Sequence, residues 1–305
     1  MLTMERLFRK IPFIDWVLKG ISQIMLQENR WTGLLFIIGM FVGSWRYAIA
    51  AVLATTVGTA VAYLLKFDKI RIQRGLYGFN PALIGVAFFF VFEDSALLWS
   101  LICVGAILTV LMDRFFTIKR KRMFTFPYIV VTWITVFILQ QFTSIPTSSI
   151  VQTTFDYANT EYGSFLAIIG GFGEVIFQEH VLASFIIFLA VYISSPVAAL
   201  YGVIASLLGT LFSQMVNQSI HEVHMGLFSF NAVLTAVVFS GNKRIDGLWV
   251  LIGSLLTIFI NITLVEFRVL ALFGGVFTFP FVMGTWITLW IQKKFQRIRL
   301  RFKYW

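Results

Sequence analysis

Two nine-residue segments, 151 positions apart, share a glycine, a Phe-Asn pair and a leucine at identical spacing. They read GLYGFNPAL (residues 75–83) and GLFSFNAVL (residues 226–234). Both lie in apolar runs, where an asparagine amide costs free energy unless it is hydrogen-bonded. The repeat therefore predicts two similar halves, each with a polar side chain that must find a partner.

Two further pairs of segments support a duplication of the whole chain. QIMLQE (residues 23–28) matches EVIFQE (residues 174–179) at the same offset of 151. TFPYIVVTWIT (residues 125–135) matches TFPFVMGTWIT (residues 278–288) at an offset of 153. Three ordered matches at nearly one offset indicate an internal duplication rather than chance.

The composition is typical of a membrane protein. Of 305 residues, 59% are hydrophobic and 12% are charged, whereas soluble domains contain about 25% charged residues. Apolar runs of about 18 residues recur along the chain, the length that a membrane-spanning helix needs. We predict an all-α polytopic membrane protein with about ten transmembrane helices plus two re-entrant half-helices.

The basic residues are confined to a few short segments. The main clusters lie at 6–10, 66–74, 114–122 and 293–303, and no lysine or arginine occurs between Arg122 and Lys243. This distribution is typical of short cytoplasmic loops and not of a face that binds nucleic acid. We therefore expect a lipid bilayer as the surroundings, the cell membrane as the location, and both termini in the cytoplasm.

The spans follow from the apolar runs and the charges. In the first half (residues 1–145), residues 11–28 are expected to cross outward and residues 33–43 to form a re-entrant half-helix. Later crossings of the first half are predicted at 46–66, 76–92, 95–112 and 125–142. In the second half (residues 165–292), crossings are predicted at 165–178, 197–217, 226–241, 246–265 and 270–291. A short segment at 182–194 corresponds to 33–43 of the first half. Residues 146–164 read as an external linker and residues 293–305 as a basic cytoplasmic tail.

This assignment leaves Arg30, Arg46 and Arg268 on the outer side. Five spans per half is an odd number, so the halves must have opposite orientations. A pseudo-two-fold axis in the membrane plane would then bring equivalent residues together near the midplane.

The repeated motifs supply acceptors and flat apolar surfaces. Gln23 and Glu174 carry side-chain oxygens, and Phe79 and Phe230 carry aromatic faces. Leu83 and Leu234 each follow a Phe by four residues, which places them on the same helix face. Such a slot suits a small, flat, neutral solute that is rich in N–H donors, and urea has that shape.

Simpler structural roles compete with this interpretation. Glu174 could pair with a distant arginine, and the phenylalanines could belong to the core. Thr125 and Thr278 each lie two residues before a proline, so their hydroxyls either face a pore or mark a helix start. We interpret Asn80 and Asn231 as structural residues that cap a helix or bond across helices.

With these motifs on both halves, the sequence resembles the urea transporters of bacteria and animals over roughly residues 13–291. The resemblance implies two inverted five-span repeats around a channel-like pore, passive transport of urea, and association as a homotrimer. It also implies roles for single residues. The slot walls would be formed by Phe79, Phe230, Leu83 and Leu234, and the constricted middle would be lined by Thr125 and Thr278. Two rows of backbone carbonyls, headed by Gln23 and Glu174, would come from Leu76, Tyr77, Gly78, Leu227, Phe228 and Ser229. Leu26 stands where the family often has Phe, and Val175 matches a small apolar position.

Two other classes of function are weighed beside urea transport. The first is a channel or permease for another small solute, such as water, ammonia, short amides or a proton-coupled substrate. The second is a membrane-embedded enzyme, which would need clustered titratable or nucleophilic side chains that the spans do not show. The sequence therefore predicts no enzyme activity, no cofactor and no metal site.

Overall fold

The computed structural model describes residues 10–143, 145–146 and 163–302. These residues form helices joined by turns, without a β-strand. The predicted linker at 146–164 falls almost entirely outside them, as do residues 303–305 of the predicted tail. The remainder of that tail continues the last helix through Phe302.

The order of helices in the first half recurs in the second. The helices are α1 (Pro12–Ser22), α2 (Arg30–Gly43), α3 (Trp45–Leu64), α4 (Lys69–Gln73), α5 (Phe79–Val91), α6 (Ala96–Ile118) and α7 (Phe126–Phe142), then α8 (Gly163–Gly173), α9 (Val181–Ser194), α10 (Pro196–Met215), α11 (Ile220–Met225), α12 (Phe230–Phe239), α13 (Arg244–Glu266) and α14 (Phe279–Phe302). Short 3₁₀ turns follow α1 and α8, at Gln23–Met25 and Glu174–Ile176, and a third precedes α14 at Ala271–Phe273.

Several helices have the length and apolar character of membrane spans. Within the described ranges these are α3, α6, α10, α13 and the segment Ile220–Phe239, which joins α11 and α12. The segments Leu166–Ile176 and Val181–Ser194 meet at an angle of 80°, as in a broken span or a re-entrant loop. Together these helices support a multi-pass membrane protein.

The structure corrects the predicted path of the first half. The 20-residue helix α3, about 30 Å long, separates a basic end, which contains Arg74, from an opposite end. Gln23 donates its amide to the Arg74 carbonyl over 2.9 Å, and Glu28 pairs with the Arg74 side chain at 2.7 Å. The chain has therefore not crossed by residue 28, and the prediction that residues 11–28 cross is wrong.

Two more ion pairs identify the segment that does connect the ends. Arg30 pairs with Asp15 of α1 at 2.9 Å, so Arg30 does not lie on the far side as predicted. Arg46, just after α2, pairs with Asp94 at the opposite end. Helix α2 therefore runs between the ends, and the half-length segment is α1 with its 3₁₀ turn, not residues 33–43.

The second half needs the same correction. The ring of Phe177 lies 4.7 Å from that of Phe90, near the end of α5 that leads to Asp94. The side chain of Gln178 lies against Gly43, at the end of α2. Helix α8 also packs against α11, which follows α10 on the return to the Asp94 end. Residues 166–178 therefore lie on that side, and α9 rather than this segment connects the two ends.

The backbone repeats its unusual conformations from one half to the other. Left-handed φ angles, which are uncommon for residues other than glycine, occur in matching pairs at an offset of 151 or 153. The pairs are Leu26 (59°) with Phe177 (56°), Lys66 (54°) with Asn217 (57°), Gly75 (75°) with Gly226 (89°), and Phe124 (50°) with Phe277 (46°). Both copies of the sequence therefore build the same local structures.

The two halves share one core. Helix α2 packs against α9, where the Thr32 hydroxyl donates to the Ala190 carbonyl over 3.0 Å and Gly39 contacts Ile187. One buried apolar cluster includes Met25 and Leu83 of the first half with Phe172 of the second. A site at this junction is therefore built by both halves.

Candidate functional site

The threonines of the two Thr-Phe-Pro motifs meet at the centre of the molecule. The Oγ1 atoms of Thr125 and Thr278 lie 2.6 Å apart, and both residues are buried, with 3% and 1% of their surface exposed. A hydrogen bond joins the two side chains across 153 positions of sequence. Thr125 occupies the position that precedes α7, but its hydroxyl does not cap that helix.

The two asparagines of the opening motif hold the loops that carry these threonines. Asn80 donates its amide to the Phe124 carbonyl and accepts from the Tyr128 amide, each over 3.3 Å. Asn231 makes the equivalent two bonds, each over 3.1 Å, to Phe277 and Phe281. The interpretation of Asn80 and Asn231 as structural residues that bond across helices is confirmed.

The first glycine of the opening motif permits a close backbone approach. A Cβ atom added to Gly75 would lie 2.4 Å from the Gly20 nitrogen, and one added to Gly226 would lie 2.5 Å from the Gly171 nitrogen. Both glycines also have left-handed φ angles, which other residues adopt at a cost. These contacts seat α1 and α8 against the segments that begin α5 and α12.

A cavity of about 330 Å³ leads from the basic end to Thr125. Five of the predicted pore residues line it: Gln23, Leu26, Leu76, Phe79 and Thr125. The remaining wall contains Ile24, Met123, Phe124 and Phe281, with Arg71, Asp113, Thr117, Arg120, Lys121 and Arg122 as its charged and polar members. The structure therefore brings these five first-half residues together around one space.

Gln23 lines this cavity, and Glu174 is its equivalent in the second half. The Gln23 side-chain N–H donates to the Arg74 carbonyl, so the Gln23 side-chain oxygen remains to accept a hydrogen bond. Glu174 is buried, and its Oε2 atom has no hydrogen-bond partner among the described residues. None of the ion pairs in the described part of the chain includes Glu174, which argues against the alternative of a pairing with arginine.

The family model described as Urea transporter matches residues 14–293. The chain belongs to this family. The family is described as one of transporters, which agrees with the prediction of transport rather than enzyme activity.

Curated relatives carry the same description. The mouse (Mus musculus) protein named urea transporter 1 is 27% identical over 248 residues, and the sheep (Ovis aries) protein of that name is 25% identical over 244 residues. Each alignment covers 76% of this chain and 64% of the relative. This chain thus spans less than two thirds of the length of the curated relatives that it matches.

The second-half site residues of this urea transporter family member are buried, and none of them lines the 330 Å³ cavity. Val175, Phe230, Leu234 and Thr278 have at most 6% of their surface exposed. Their 3₁₀ turn, Glu174–Ile176, contacts the equivalent turn, Gln23–Met25, and also α12. Leu83, from the first half, is likewise fully buried in the shared core.

The predicted carbonyl rows have different hydrogen-bonding states. The Gly78 and Ser229 carbonyls accept from Ala82 and Val233 within the first turns of α5 and α12. The Leu227 carbonyl accepts from the Asn261 amide over 3.1 Å. Four residues after Tyr77 stands Pro81, which has no N–H to donate to the Tyr77 carbonyl.

Sequence reasoning left Phe177 without a role. The residue has the left-handed conformation of Leu26, 151 positions earlier. Its ring packs against Phe90 at 4.7 Å and against Phe277 at 6.2 Å, near the second threonine loop. The offset of the duplication was the signal that could have assigned it as the counterpart of Leu26.

Proposed function

We propose that this protein carries urea passively across a membrane through a narrow slot lined by oxygen acceptors and aromatic side chains. We further propose two inverted repeats of five spans each, with the slot at their junction and the pseudo-two-fold axis passing between Thr125 and Thr278. The contact of these two hydroxyls at 2.6 Å is the observation that carries the proposal, because only paired halves bring equivalent residues together.

The chemistry of the slot matches a flat donor of hydrogen bonds. Urea offers four N–H hydrogens in its plane, and the free oxygens of Gln23 and Glu174 can accept them, as can the Tyr77 carbonyl. The Phe79 ring in the cavity wall and the buried Phe230 ring offer apolar surfaces for the faces of the molecule. Buried acceptors without protein partners are costly unless a solute satisfies them.

The arrangement also supports passive transport over coupled transport. A proton-coupled carrier needs a relay of titratable groups inside the membrane. Among the predicted pore residues, Glu174 is the one carboxylic acid. The slot therefore offers a pathway without an evident means of coupling.

We propose that the protein lies in the cell membrane as a homotrimer, with both termini in the cytoplasm. The orientation follows from the basic end, which holds Arg71, Arg74 and the loop 119–122, because short basic loops remain on the cytoplasmic side. The trimer follows from resemblance to the family.

Urea flux into proteoliposomes tests the proposal. The protein is expected to accelerate urea entry over protein-free vesicles, with or without a proton gradient. Glu174→Gln, Phe79→Ala and Thr278→Val are expected to lower the flux. Phe259→Ala is the matched control for Phe79→Ala, because the Phe259 side chain is 68% exposed on α13, where lipid would surround it.

Two results would contradict the proposal. Urea entry no faster than in protein-free vesicles would exclude urea as the substrate. A channel for water, ammonia or short amides would then be recognised by faster flux of one of those solutes in the same vesicles. Flux that stops when the proton gradient is removed would exclude the passive mechanism.

A further inference from the structure

The repeated Thr-Trp-Ile-Thr segments contain a tryptophan in each half, at positions 133 and 286. The Trp133 indole N–H donates to the Gly275 carbonyl over 2.9 Å. The Trp286 indole N–H donates to the Arg122 carbonyl over 3.0 Å. Each tryptophan thus reaches out of its own half into the loop of the other half, three residues before that loop's threonine.

The aromatic rings make a second reciprocal contact. Trp133 packs edge-on against Phe279 with ring centroids 5.1 Å apart, and Trp286 packs against Phe126 at 5.5 Å. Phe279 follows Thr278 directly, and Phe126 follows Thr125. Each tryptophan therefore contacts the opposite loop on both sides of its threonine, three residues before it and one residue after it.

These loops need external support. Each passes through a phenylalanine in the left-handed conformation, Phe124 or Phe277, which costs about 1–2 kcal/mol for a residue with a side chain. Asn80 and Asn231 hold each loop from within its own half. The tryptophans add a bond from the other half to the backbone of each loop, beside the hydroxyl contact of the two threonines and the ring contact of Phe124 with Phe281.

We propose that Trp133 and Trp286 are positioning residues that form a reciprocal clasp and set the separation of Thr125 and Thr278, and with it the solute selectivity of the slot. This inference rests on the proposed function. The tryptophans do not touch the solute; they act through the two loops. Loss of one indole N–H frees the loop of the opposite half and changes the width at the threonine pair.

A change of selectivity distinguishes positioning from a general loss of folded protein. A smaller folded fraction lowers the flux of every solute by the same factor, so it leaves the ratio of urea flux to N-methylurea flux unchanged. A displaced threonine alters the two fluxes unequally, because the larger solute is more sensitive to the width. The ratio therefore reports on geometry alone.

The variants are Trp286→Phe and Trp133→Phe, which keep an aromatic ring but remove the N–H donor. The control is Trp99→Phe, which removes an indole bond of the same 2.9 Å length to Asp94, far from the threonine pair. We expect the flux ratio to change by about two- to tenfold in each clasp variant, the range for loss of one hydrogen bond. The control is expected to keep the wild-type ratio.

Hydrogen exchange supplies a readout that does not depend on urea transport. Trp286→Phe is expected to speed amide exchange in residues 120–126 of the first half. Trp133→Phe is expected to do so in residues 273–279 of the second. This crossed pattern is specific to the clasp, because a local defect would loosen the loop of the mutated half.

Failure of the clasp and failure of the proposed function give different results. If wild-type vesicles conduct no urea, the proposed function fails, and the crossed exchange pattern still decides whether the clasp exists. If wild type conducts urea but both variants keep the flux ratio, the inference about selectivity is overturned and urea transport stands. Faster exchange confined to the mutated half also overturns the clasp.

Discussion

The hydroxyl oxygens of Thr125 and Thr278 lie 2.6 Å apart in the buried centre of the molecule. A bond of this kind uses one hydrogen, so the accepting hydroxyl still has its own hydrogen to donate. In the proposed function, the threonine pair would offer one donor to the carbonyl oxygen of urea, and Gln23 and Glu174 would offer acceptors to its N–H groups.

Thr125→Val and Thr278→Val are each expected to lower stability by about 1–3 kcal/mol, because each leaves one buried hydroxyl without its partner. The double variant is expected to lose less than the sum of the two, since it removes both hydroxyls. Thermal unfolding of the four proteins in detergent measures this coupling. Strict additivity would show that the two hydroxyls do not interact.

Asn231→Ala removes the bonds from one side chain to the Phe277 carbonyl and the Phe281 amide. We expect the free energy of unfolding to fall by about 2–3 kcal/mol, because two buried hydrogen bonds of roughly 1 kcal/mol each are lost and their backbone partners are left unsatisfied. Asn80→Ala should lose a similar amount. Asn242→Ala, at an exposed loop position, is the control and should unfold at the wild-type temperature.

The duplicated motifs predicted the residues that meet, but not the bonds that join them. The offset of 153 paired Thr125 with Thr278, and the cost of a buried amide predicted partners for Asn80. The crossing by Trp286 to the Arg122 carbonyl could not be foreseen, because the partner is a backbone atom in the other half. Backbone carbonyls carry no signature in the sequence.

The wrong span assignment has a different cause. By hydropathy, the apolar run 11–28 is long enough to cross the membrane. The left-handed turn at Leu26 instead reverses the chain after a half-length helix. Conversely, residues 33–43 looked too short to cross, but the helix that contains them, Arg30–Gly43, has 14 residues and is about 21 Å long. Length and apolar character could not show that Glu28 and Arg74 form an ion pair.

Gly75→Ala and Gly226→Ala are expected to be strongly destabilising. The added Cβ would lie about 2.5 Å or less from backbone atoms of α1 or α8, and backbone cannot move aside as a flexible side chain does. Overpacking of this kind costs about 1–3 kcal/mol in addition to the left-handed strain of about 1–2 kcal/mol.

Gly275→Ala separates these two costs. Gly275 also has a positive φ, of 113°, but nothing lies within 4 Å of the added Cβ. Its variant should therefore show the conformational strain without the clash, and unfold at a temperature between wild type and Gly75→Ala. Equal loss of stability in all three variants would show that close approach of the backbones contributes nothing.

Single cysteines test the corrected path of the chain directly. Glu28, Arg74, Arg46 and Asp94 are all exposed, and the ion pairs join Glu28 to Arg74 and Arg46 to Asp94. With Cys103, the one native cysteine, replaced by Ala, each position is changed to Cys in turn in sealed vesicles. A membrane-impermeant maleimide should label Glu28→Cys and Arg74→Cys from one side, and Arg46→Cys and Asp94→Cys from the other. If Glu28→Cys were labelled from the same side as Asp94→Cys, residues 11–28 would cross the membrane after all. Glu28 would then not lie beside Arg74, and the ion pair could not hold the half-length segment at the basic end.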